Sequence, residues 1–542
     1  MNRISGQPTS AGWQTENRTG IEEISGVWTP IAITHEQSDG ILTLDPNTDL
    51  PTMNRINPPP IIMIDGIFFQ LHKTGIARVW QSLLQEWSSQ EVAQHLLVLD
   101  RNGTAPRLPN IRYLPFPPYV YENLDEDREM LQQVCDQEGA SLFISTYFTV
   151  PLSTPSVLMV HDMIPEALGA DLAVPEWQEK HYCIKQASAY ITISHNTARD
   201  LVRFFPEIAS RPITVAHPGV SPSLFFPAAL EEICRFKTRY GISKPYFLLS
   251  AVNKNYKNNR LFFVAFAQLC SRHGFEIVCT GSDAILNPEF RAATAGCVVH
   301  LLSLTDEELR AAYSGAVALV YPSLYEGFGL PVLEAMACGC PVITCPNASL
   351  PEVAGEAALY VSAQDIDGMA NALCEVQKPS VRQGLVVAGL ERSQFFSWST
   401  MAAIVQLALV EATLLPLQLR AINLIVFPDW QQPETILLRN LEIAIRTVLT
   451  YPDREQLTLL VYAGNVNSET ANLALSEVTL NLLMTAELEG ETLPEVSLVP
   501  VLSEMQWKVL LPRIQARLEL EHEDEGAIAQ VGADRLERRS LS

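Results

Sequence analysis

The sequence predicts an α/β protein made of two Rossmann-like halves and a smaller α/β unit at its C-terminal end. Short apolar runs alternate with helical patterns over 61–205, again over 246–413 and again over 422–501. That alternation is typical of parallel sheets covered by helices. The chain has 542 residues, whereas a single hydrophobic core stops growing at roughly 250–300 residues. We therefore expect several domains, each with its own sheet.

Composition and charge limit the classes of function. The chain is 47% hydrophobic and 18% charged, with a formal net charge of −24. This charge argues against nonspecific binding to nucleic acid or to an anionic membrane surface. No apolar run approaches the ~20 residues of a spanning helix, and the polar N-terminal stretch lacks the apolar core of a signal peptide. We expect a cytoplasmic protein with at most peripheral membrane contact.

The cysteines predict no metal site. Cys338, Cys340 and Cys345 lie close together in the sequence, but they straddle a helix end and a strand. Their spacing is not the C-x2-C that typically holds zinc.

The chain begins with a polar extension, 1–57, which we expect to be partly disordered or draped over the surface. After the prolines at 58–60, an apolar strand at 61–64 leads through a loop ending in Thr74-Gly75 into a helix at 76–87. A strand–loop–helix unit of this kind opens a Rossmann-like domain. A G-x-G-x-x-G fingerprint is absent, so a nicotinamide cofactor is not indicated.

Further strands are predicted in both halves. The strand at 156–160 is followed by His161 and Asp162, which places both side chains at the carboxyl end of a strand, where open α/β sheets bind ligands. The other predicted strands are at 95–99, 141–145, 190–194, 246–252, 275–279, 298–304, 317–320 and 342–345.

The stretch 317–345 is the centre of the functional argument. A strand is followed by a loop, 324–330, that holds Gly327 and Gly329, and then by a helix. Glycines let the backbone approach a ligand closely, and the free N–H groups of the helix suit a phosphate. Glu326 in the loop and Glu334 in the first turn of the helix frame this region. Because carboxylates accept hydrogen bonds from hydroxyl groups, a sugar or a ribose is a natural ligand.

The two carboxylates also carry a family resemblance. E-x7-E within YEGFGLPVLEAMACGCPVI resembles the signature of retaining glycosyltransferases of family 4, which have the GT-B fold of two Rossmann-like domains facing a cleft. The resemblance implies that Glu326 contacts the donor sugar and Glu334 the nucleotide ribose. The residues between them that it places at the donor are Gly327, Phe328, Gly329 and Leu330.

Further motifs of this family follow in order. VHDMIPE resembles the family's His-Asp element, which implies that His161 sits beside the reacting sugar. Gly75 matches the glycine loop that helps hold donor phosphate or acceptor. VAHPGVSPSLFFP, over 215–227, resembles the hinge between the domains, and FFSW, at 395–398, resembles an element before the helix that crosses back to the first domain.

The phosphate-binding stretch departs from the family. Lys257-Asn258 matches the usual Lys-Asn, but Ala251 stands at the glycine position and Tyr256 at the arginine position. The second positive charge is then expected from Lys254 or Arg260. A lysine acts as a point charge without the fork of an arginine.

The resemblance implies two domains and a reaction. The domains are an acceptor-side domain, 58–222, and a nucleotide-sugar-binding domain, 223–413. The sequence pattern alone predicts two further regions, the extension 1–57 and an appended α/β domain, 418–542. The reaction is transfer of a sugar, with a mild preference for GDP-mannose as donor, to a growing polysaccharide or a lipid-linked glycan at the inner membrane face. No D-x-D motif sits at a strand end, so we expect no metal and no cofactor, with Lys257, Lys254 and helix N–H groups stabilising the diphosphate.

Two other classes of function stay open. The altered positions Ala251 and Tyr256 would suit a non-catalytic GT-B scaffold that binds sugar or a protein partner. A GT-B phosphorylase or a sugar-nucleotide epimerase is the other alternative, but no pyridoxal lysine can be identified for the former.

Since Glu326 lies in a loop, we expect alanine there to abolish transfer and leave the fold intact.

The C-terminal region, 418–542, lies beyond the family pattern. Strands are predicted at 422–427, 457–462 and 496–501, with helices at 434–448 and 467–486. No catalytic constellation stands out, and Trp430 is interpreted as a core aromatic, so a protein partner is the expected role. We predict that the acidic run 521–525 and the tail after it are solvated or disordered.

Overall fold

The computed structural model describes residues 60–540 except 72–74, 122, 251–253, 282–284 and 486–492. The predictions made for the extension 1–57, for Thr74 and for Ala251 lie outside the described residues. All described residues belong to one compact unit, 57–542.

The first half is a seven-stranded parallel sheet with helices on both faces. Its central strands are buried along their whole length, as the near-continuous apolar runs predict. The strands are β1 (Ile61–Asp65), β2 (Leu96–Arg101), β3 (Arg112–Phe116), β4 (Ala140–Ser145), β5 (Ser156–Val160), β6 (Ala189–Thr192) and β7 (Ile213–Val215), in the order β3-β2-β1-β4-β5-β6-β7. The helices are α1 (Ile67–Leu71), α2 (Gly75–Trp87), α3 (Leu124–Glu138), α4 (Ile164–Ala167), α5 (Pro175–Gln186) and α6 (His195–Phe204).

The second half repeats this plan with six parallel strands. The strands are β8 (Tyr246–Ser250), β9 (Glu276–Thr280), β10 (Val299–Leu302), β11 (Ala318–Tyr321), β12 (Val342–Thr344) and β13 (Ala358–Tyr360), in the order β10-β9-β8-β11-β12-β13. The helices are α7 (Leu230–Tyr240), α8 (Asn259–Gln268), α9 (Pro288–Ala293), α10 (Asp306–Gly315), α11 (Leu330–Ala337), α12 (Leu350–Ala354), α13 (Ile366–Glu375), α14 (Pro379–Ser393) and α15 (Trp398–Ala412).

The C-terminal region forms a third parallel sheet, of five strands. The strands are β14 (Ile422–Val426), β15 (Leu457–Tyr462), β16 (Glu495–Val499), β17 (Ala516–Glu519) and β18 (Glu537–Ser540), in the order β16-β15-β14-β17-β18. The helices are α16 (Glu434–Leu449), α17 (Ser468–Thr485), α18 (Glu504–Leu510) and α19 (Glu525–Val531).

Of the two alternatives predicted for the acidic run and the tail after it, solvated or disordered, disorder is wrong. Residues after the acidic run form α19 and β18, and β18 pairs in parallel with β17. Asp524, within the acidic run, accepts a hydrogen bond from the Ala527 N–H and so caps α19. The composition misled because β18 is an edge strand of sequence ERRS, and edge strands commonly carry charged side chains.

The first strand of each sheet lies between the second strand and the fourth. Between the first strand and the fourth, the strand order reverses, so the connections that leave these two strands run in opposite directions. The loops at the carboxyl ends of these two strands therefore leave a crevice between them. Ligands bind at this switch point in open α/β sheets. The three switch points lie between β1 and β4, between β8 and β11, and between β14 and β17.

The last helix of the second half crosses back to the first. Met401, Val405 and Leu409 of α15 belong to one core cluster with Leu83 and Trp80 of α2, and the Trp87 indole N–H donates to the Ala402 carbonyl at 3.1 Å. Gly219 of the predicted hinge lies directly against FFSW, since a Cβ there would be 2.2 Å from the Trp398 nitrogen.

One stretch of the described chain, Pro379–Ala412, is long and apolar enough to cross a membrane by length and composition alone. Half of its most apolar window is buried inside the protein, and the residues between α14 and α15 interrupt the helix. The core helices of globular proteins meet the same criteria, so this finding is weak evidence for a membrane span.

Candidate active site

The loop between β11 and α11 forms the centre of the site. Ser323, Glu326 and Phe328 are buried in it, and Gly329 adopts φ +116° at the N-terminus of α11. Only glycine takes that conformation readily, so Gly329 fixes how the loop enters the helix. The Phe328 ring contacts Phe396 of FFSW at 5.5 Å between centroids.

Glu326 meets the predicted phosphate-binding lysine at the switch point of the second sheet. Lys257 Nζ donates to Glu326 Oε1 at 2.7 Å and to the Tyr321 hydroxyl at 2.5 Å. Lys257 and Glu326 are 8% and 7% exposed, so they form a buried ion pair. The two buried charges stabilise each other, because removing either partner leaves an unpaired buried charge.

The loop also touches the first half of the protein. A Cβ on Gly327 would lie 1.8 Å from the His161 carbonyl oxygen and 2.9 Å from Asp162 Cβ. The Thr197 hydroxyl donates to the Gly327 carbonyl at 3.3 Å. The two halves are therefore closed on each other here, and a side chain at 327 would hold them apart.

His161 lies under this contact with an unusual environment. It is 4% exposed, and neither ring nitrogen has a hydrogen-bond partner among the described protein atoms. Burial lowers the pKa of His161 to about 3, so the ring is neutral at ordinary pH and offers one donor and one acceptor. A buried polar group without a partner is costly, which suggests that a ligand completes its bonding.

Glu334 is held from two sides. Arg78 of α2 donates to Glu334 Oε1 at 3.2 Å, and the Tyr313 hydroxyl donates to Oε2 at 3.2 Å. Burial raises the pKa of Glu334 to about 7, although Arg78 and Tyr313 oppose that rise. Arg78 also donates to Asp306 Oδ1 at 2.5 Å, so this arginine of the first half joins two acidic residues of the second.

The predicted site residues are brought together with one exception. Gly75 begins α2 and would place a Cβ 3.7 Å from Leu330 of the loop, so both halves contribute. Lys254 is exposed; its carbonyl accepts a hydrogen bond from the Lys257 N–H at 3.0 Å, but no described contact joins its side chain to the other site residues. Arg78, Tyr313 and Tyr321 are not predicted from the sequence. Arg78 carried a signal, because it follows Gly75 by one helical turn and so points toward the same cleft.

One group of side chains in the described residues has ligand atoms close enough to hold a metal ion. It comprises His195, His217 and Glu352, with ligand atoms within 4.8 Å of one another. The Glu352 carboxylate, however, already accepts N–H bonds from His195 and Asn196 in the first turn of α6, and a bond from His217 Nε2 at 2.5 Å. A helix N-terminus favours an anion and disfavours a cation. Glu352, in α12 of the second half, therefore links the two halves through hydrogen bonds to residues of the first.

Two family models match the chain. One, described as Glycosyltransferase Family 4, matches residues 73–224, and the other, Glycosyl transferases group 1, matches residues 244–378. Together they span more than half of the chain and contain Gly75, His161, Lys257, Glu326 and Glu334. The chain belongs to glycosyltransferase family 4.

Curated relatives agree with this assignment. The chain is 31% identical over 227 residues to "O-antigen chain mannosyltransferase B" of Escherichia coli, a match that covers 40% of this chain and 59% of the relative. It is 27% identical over 248 residues to "O-antigen chain mannosyltransferase RfbU" of Salmonella typhimurium, covering 44% of this chain and 65% of the relative. The chain thus spans less than two thirds of these relatives.

Solved structures show that this glycosyltransferase family 4 member has the GT-B fold. A sucrose-phosphate synthase from Thermosynechococcus elongatus aligns with a TM-score of 0.53 at 20% identity, over 66% of this chain and 99% of that one. WaaG, a glycosyltransferase involved in lipopolysaccharide biosynthesis, aligns with a TM-score of 0.52 at 14% identity, over 64% of this chain and 99% of that one.

Proposed function

We propose that this protein is a retaining glycosyltransferase that moves a hexose from a nucleotide-sugar to a glycan or lipid-linked acceptor. The observation that carries the proposal is the arrangement at the second switch point. A buried carboxylate, Glu326, is paired with Lys257, and the next residue, Gly327, lies against His161, a neutral histidine whose ring nitrogens have no described partner. These groups suit a sugar on one side and a phosphate on the other.

Each residue has a distinct role in this proposal. Glu326 accepts hydrogen bonds from sugar hydroxyls, His161 contacts the sugar near its anomeric carbon, and Glu334 accepts from the ribose. Lys257 supplies positive charge for the diphosphate, together with the N–H groups of α11. When the donor enters, Lys257 exchanges part of its contact with Glu326 for a phosphate oxygen. Because Lys257 and Glu326 are already paired and buried before the donor binds, both side chains are preorganised.

The reaction needs no protein nucleophile. The bond between the anomeric carbon and the phosphate oxygen breaks as the acceptor hydroxyl oxygen bonds that carbon from the same face. The hydroxyl proton passes to the departing phosphate oxygen, so that the products are the glycoside and a nucleoside diphosphate. The family resemblance supports this retaining course.

Mannose from GDP-mannose is the proposed donor, because the relatives named above are O-antigen mannosyltransferases. The acceptor proposed on the same ground is a growing polysaccharide or lipid-linked glycan of the cell envelope. Such an acceptor would bring this enzyme to the cytoplasmic face of the membrane, with at most peripheral contact. Neither a metal nor a cofactor is part of the proposal.

The test is a ligand screen followed by a transfer assay on the full chain. Thermal unfolding is measured with UDP, GDP, ADP and their sugars, since a ligand that binds the native state raises its stability by mass action. We expect GDP and GDP-mannose to raise the unfolding temperature. A folded protein that responds to none of them would overturn the proposal in favour of a non-catalytic scaffold.

Substitution of His161 sharpens this test. His161→Leu removes a polar ring that has no described protein partner, so we expect the stability to stay equal or to rise. Transfer should fall by about 10²-fold, the usual loss when one positioned hydrogen-bonding group is removed from a transition state. The matched control is His95→Leu, at a buried histidine whose Nδ1 lies 3.2 Å from the Pro60 carbonyl oxygen. It should lower stability and leave transfer unchanged, and the reverse pattern would contradict the role of His161.

A further inference from the structure

Arg78 is the one basic residue of the proposed site, among the described residues, that reaches from the first half into the second. It lies in the first turns of α2 and donates to Glu334 on α11 and to Asp306 on α10. Its guanidinium also lies 5.4 Å from the centre of the Phe225 ring, in the predicted hinge. Its side chain is 32% exposed, so it is placed at the edge of the cleft.

Glu334 depends on this arginine for its charge. Glu334 is 6% exposed, and burial disfavours its anionic form. Its other hydrogen-bonding neighbour, the Tyr313 hydroxyl, is neutral, and Asp306 is a like charge. Arg78 is therefore the opposite charge that supports the carboxylate.

Among the described residues, the elements packed on α11 provide no second cation for Glu334. Arg392 of α14 donates to the Val353 and Glu352 carbonyls, and Arg382 of α14 donates to the Val317 and Ala316 carbonyls. Arg310 of α10 pairs with Glu232. The titratable and charged groups described as acting on Glu334 are Arg78 from α2 and Tyr313 and Asp306 from α10, and Glu334 in turn acts on Cys338 at the end of α11.

We propose that Arg78 is a positioning residue that holds the Glu334 carboxylate, as an anion and with one oxygen fixed, ready to accept the ribose hydroxyls of the donor nucleotide. This inference rests on the proposed function, which places the ribose at Glu334. It adds that the acceptor-side half prepares the donor site, so that nucleotide affinity depends on contact between the halves.

The pH dependence follows from the charges. Glu334 has a pKa raised to about 7 by burial, and Arg78 lowers it from a still higher value. A carboxylate accepts from two hydroxyls, whereas its protonated form loses part of that capacity. Nucleotide binding should therefore weaken as the pH falls through about 7. Without Arg78 this weakening should begin at a higher pH, because an opposite charge no longer stabilises the anion.

The experiment measures dissociation constants of the full chain for GDP, UDP and ADP by calorimetry between about pH 6 and pH 9. We expect Arg78→Met to bind about tenfold more weakly than the native protein near pH 6 and nearly equally near pH 9. Arg78→Lys should restore part of the low-pH affinity, because it returns a charge without the planar fork.

The matched control is Arg128→Met. Arg128 also donates to two acidic residues, Asp125 and Glu179, but both belong to the first half. Its removal should leave the pH profile of nucleotide binding unchanged. A profile displaced in Arg128→Met as in Arg78→Met would show a general charge effect and overturn the proposal.

A double-mutant cycle separates action through Glu334 from direct contact with the nucleotide. Glu334→Gln has no carboxyl to titrate, so Arg78→Met should add no further loss of affinity in that background. A full loss in the Gln background would overturn the proposal in favour of direct phosphate binding by Arg78. If the native protein binds none of the three nucleotides, the proposed function fails. If it binds one with the same pH profile in Arg78→Met, only the inference about Arg78 fails.

Discussion

The second and third sheets share one topology and differ at their switch points. In both, the first strand lies between the second and the fourth. After β11, the loop of the second sheet carries Glu326 and runs under the first half, where Lys257 and His161 meet it. In the third sheet, the two loops are bonded to each other. Pro428 and Glu523 form a β-bridge, and the Asp524 N–H donates to the Phe427 carbonyl at 3.0 Å.

Trp430 closes the third switch point further. Its indole N–H donates to the Tyr462 carbonyl at 2.8 Å, which ties the loop after β14 to the end of β15. The ring also packs on the core of the third sheet, in agreement with its interpretation as a core aromatic. The same strand order thus gives, in one sheet, a switch-point loop that meets the other half of the protein and, in the other sheet, two loops bonded to each other. The strand order sets where a ligand site can form, and the loops determine whether one forms there.

The most direct way to break this comparison is to neutralise the acidic residue at each switch point. Glu326→Gln should lower transfer by about 10³-fold, because the carboxylate that receives the sugar hydroxyls is lost. Glu523, which lies 3.4 Å from the buried Arg517, is the matched position in the third sheet. Glu523→Gln should leave transfer unchanged, as measured by product formation. A large loss of transfer in Glu523→Gln would mean that the third sheet takes part in the reaction.

Glutamine is preferred to alanine at 326 for a structural reason. From the sequence, alanine is expected to leave the fold intact because Glu326 lies in a loop. Its burial against Lys257 changes that expectation, since breaking a buried pair by removing one partner costs about 3–5 kcal/mol. Glutamine keeps the shape and an acceptor oxygen for Lys257, and the unfolding temperature of the variant checks that it is folded.

Substitutions of Gly327, after β11, and of Gly464, after β15, are expected to change transfer less than Glu326→Gln does. Gly327→Ala would place its methyl group against the main-chain oxygen of His161, which cannot turn away. We expect the halves to be held apart and transfer to fall by about 10²-fold, the cost of a misplacement of about 1 Å. Gly464→Ala, after β15, would meet the Tyr462 side chain, with the hydroxyl at 2.2 Å and Cζ at 2.4 Å from its Cβ. Because Tyr462 belongs to the third sheet and not to the proposed site, transfer should stay at the native rate.

The contact between Gly327 and His161 can be tested by small-angle X-ray scattering. Gly327→Ala should have a larger radius of gyration than the native protein in the presence of nucleotide, and Gly464→Ala should not. Equal dimensions and equal turnover for the two variants would show that the contact between Gly327 and His161 is not needed for transfer.

Much of this architecture is predictable from the sequence, and the exceptions have physical causes. Central strands such as β5 and β15 are found to the residue, because burial on both faces leaves continuous apolar runs. The edge strands β3 and β18, of sequence RYLPF and ERRS, are missed because they lack that run. In the site, the loop motif predicts Glu326 and Glu334. Their partners do not follow from it, since Lys257 is 69 residues from Glu326, and Arg78 is 256 residues from Glu334.

The pH dependence of stability gives the finest comparison of the two switch points. Burial raises the pKa of Glu334 to about 7, above the ordinary value of 4.5. Between these values the folded protein keeps a proton on Glu334 that the unfolded chain releases, so the folded state loses stability as the pH rises through this window. The loss is about 3 kcal/mol.

Glu334→Gln has no such proton to release. Without nucleotide, its free energy of unfolding should rise relative to that of the native protein between about pH 4.5 and pH 7, as urea denaturation would show. The pKa of Glu523 is also raised by burial, but Arg517 opposes that rise, so Glu523→Gln should follow the same sign with a smaller difference. Parallel curves for Glu334→Gln and the native protein would mean that Glu334 is ionised without cost. Under the proposed function this cost has a purpose, because a carboxylate already stripped of water gives its full acceptor strength to the ribose.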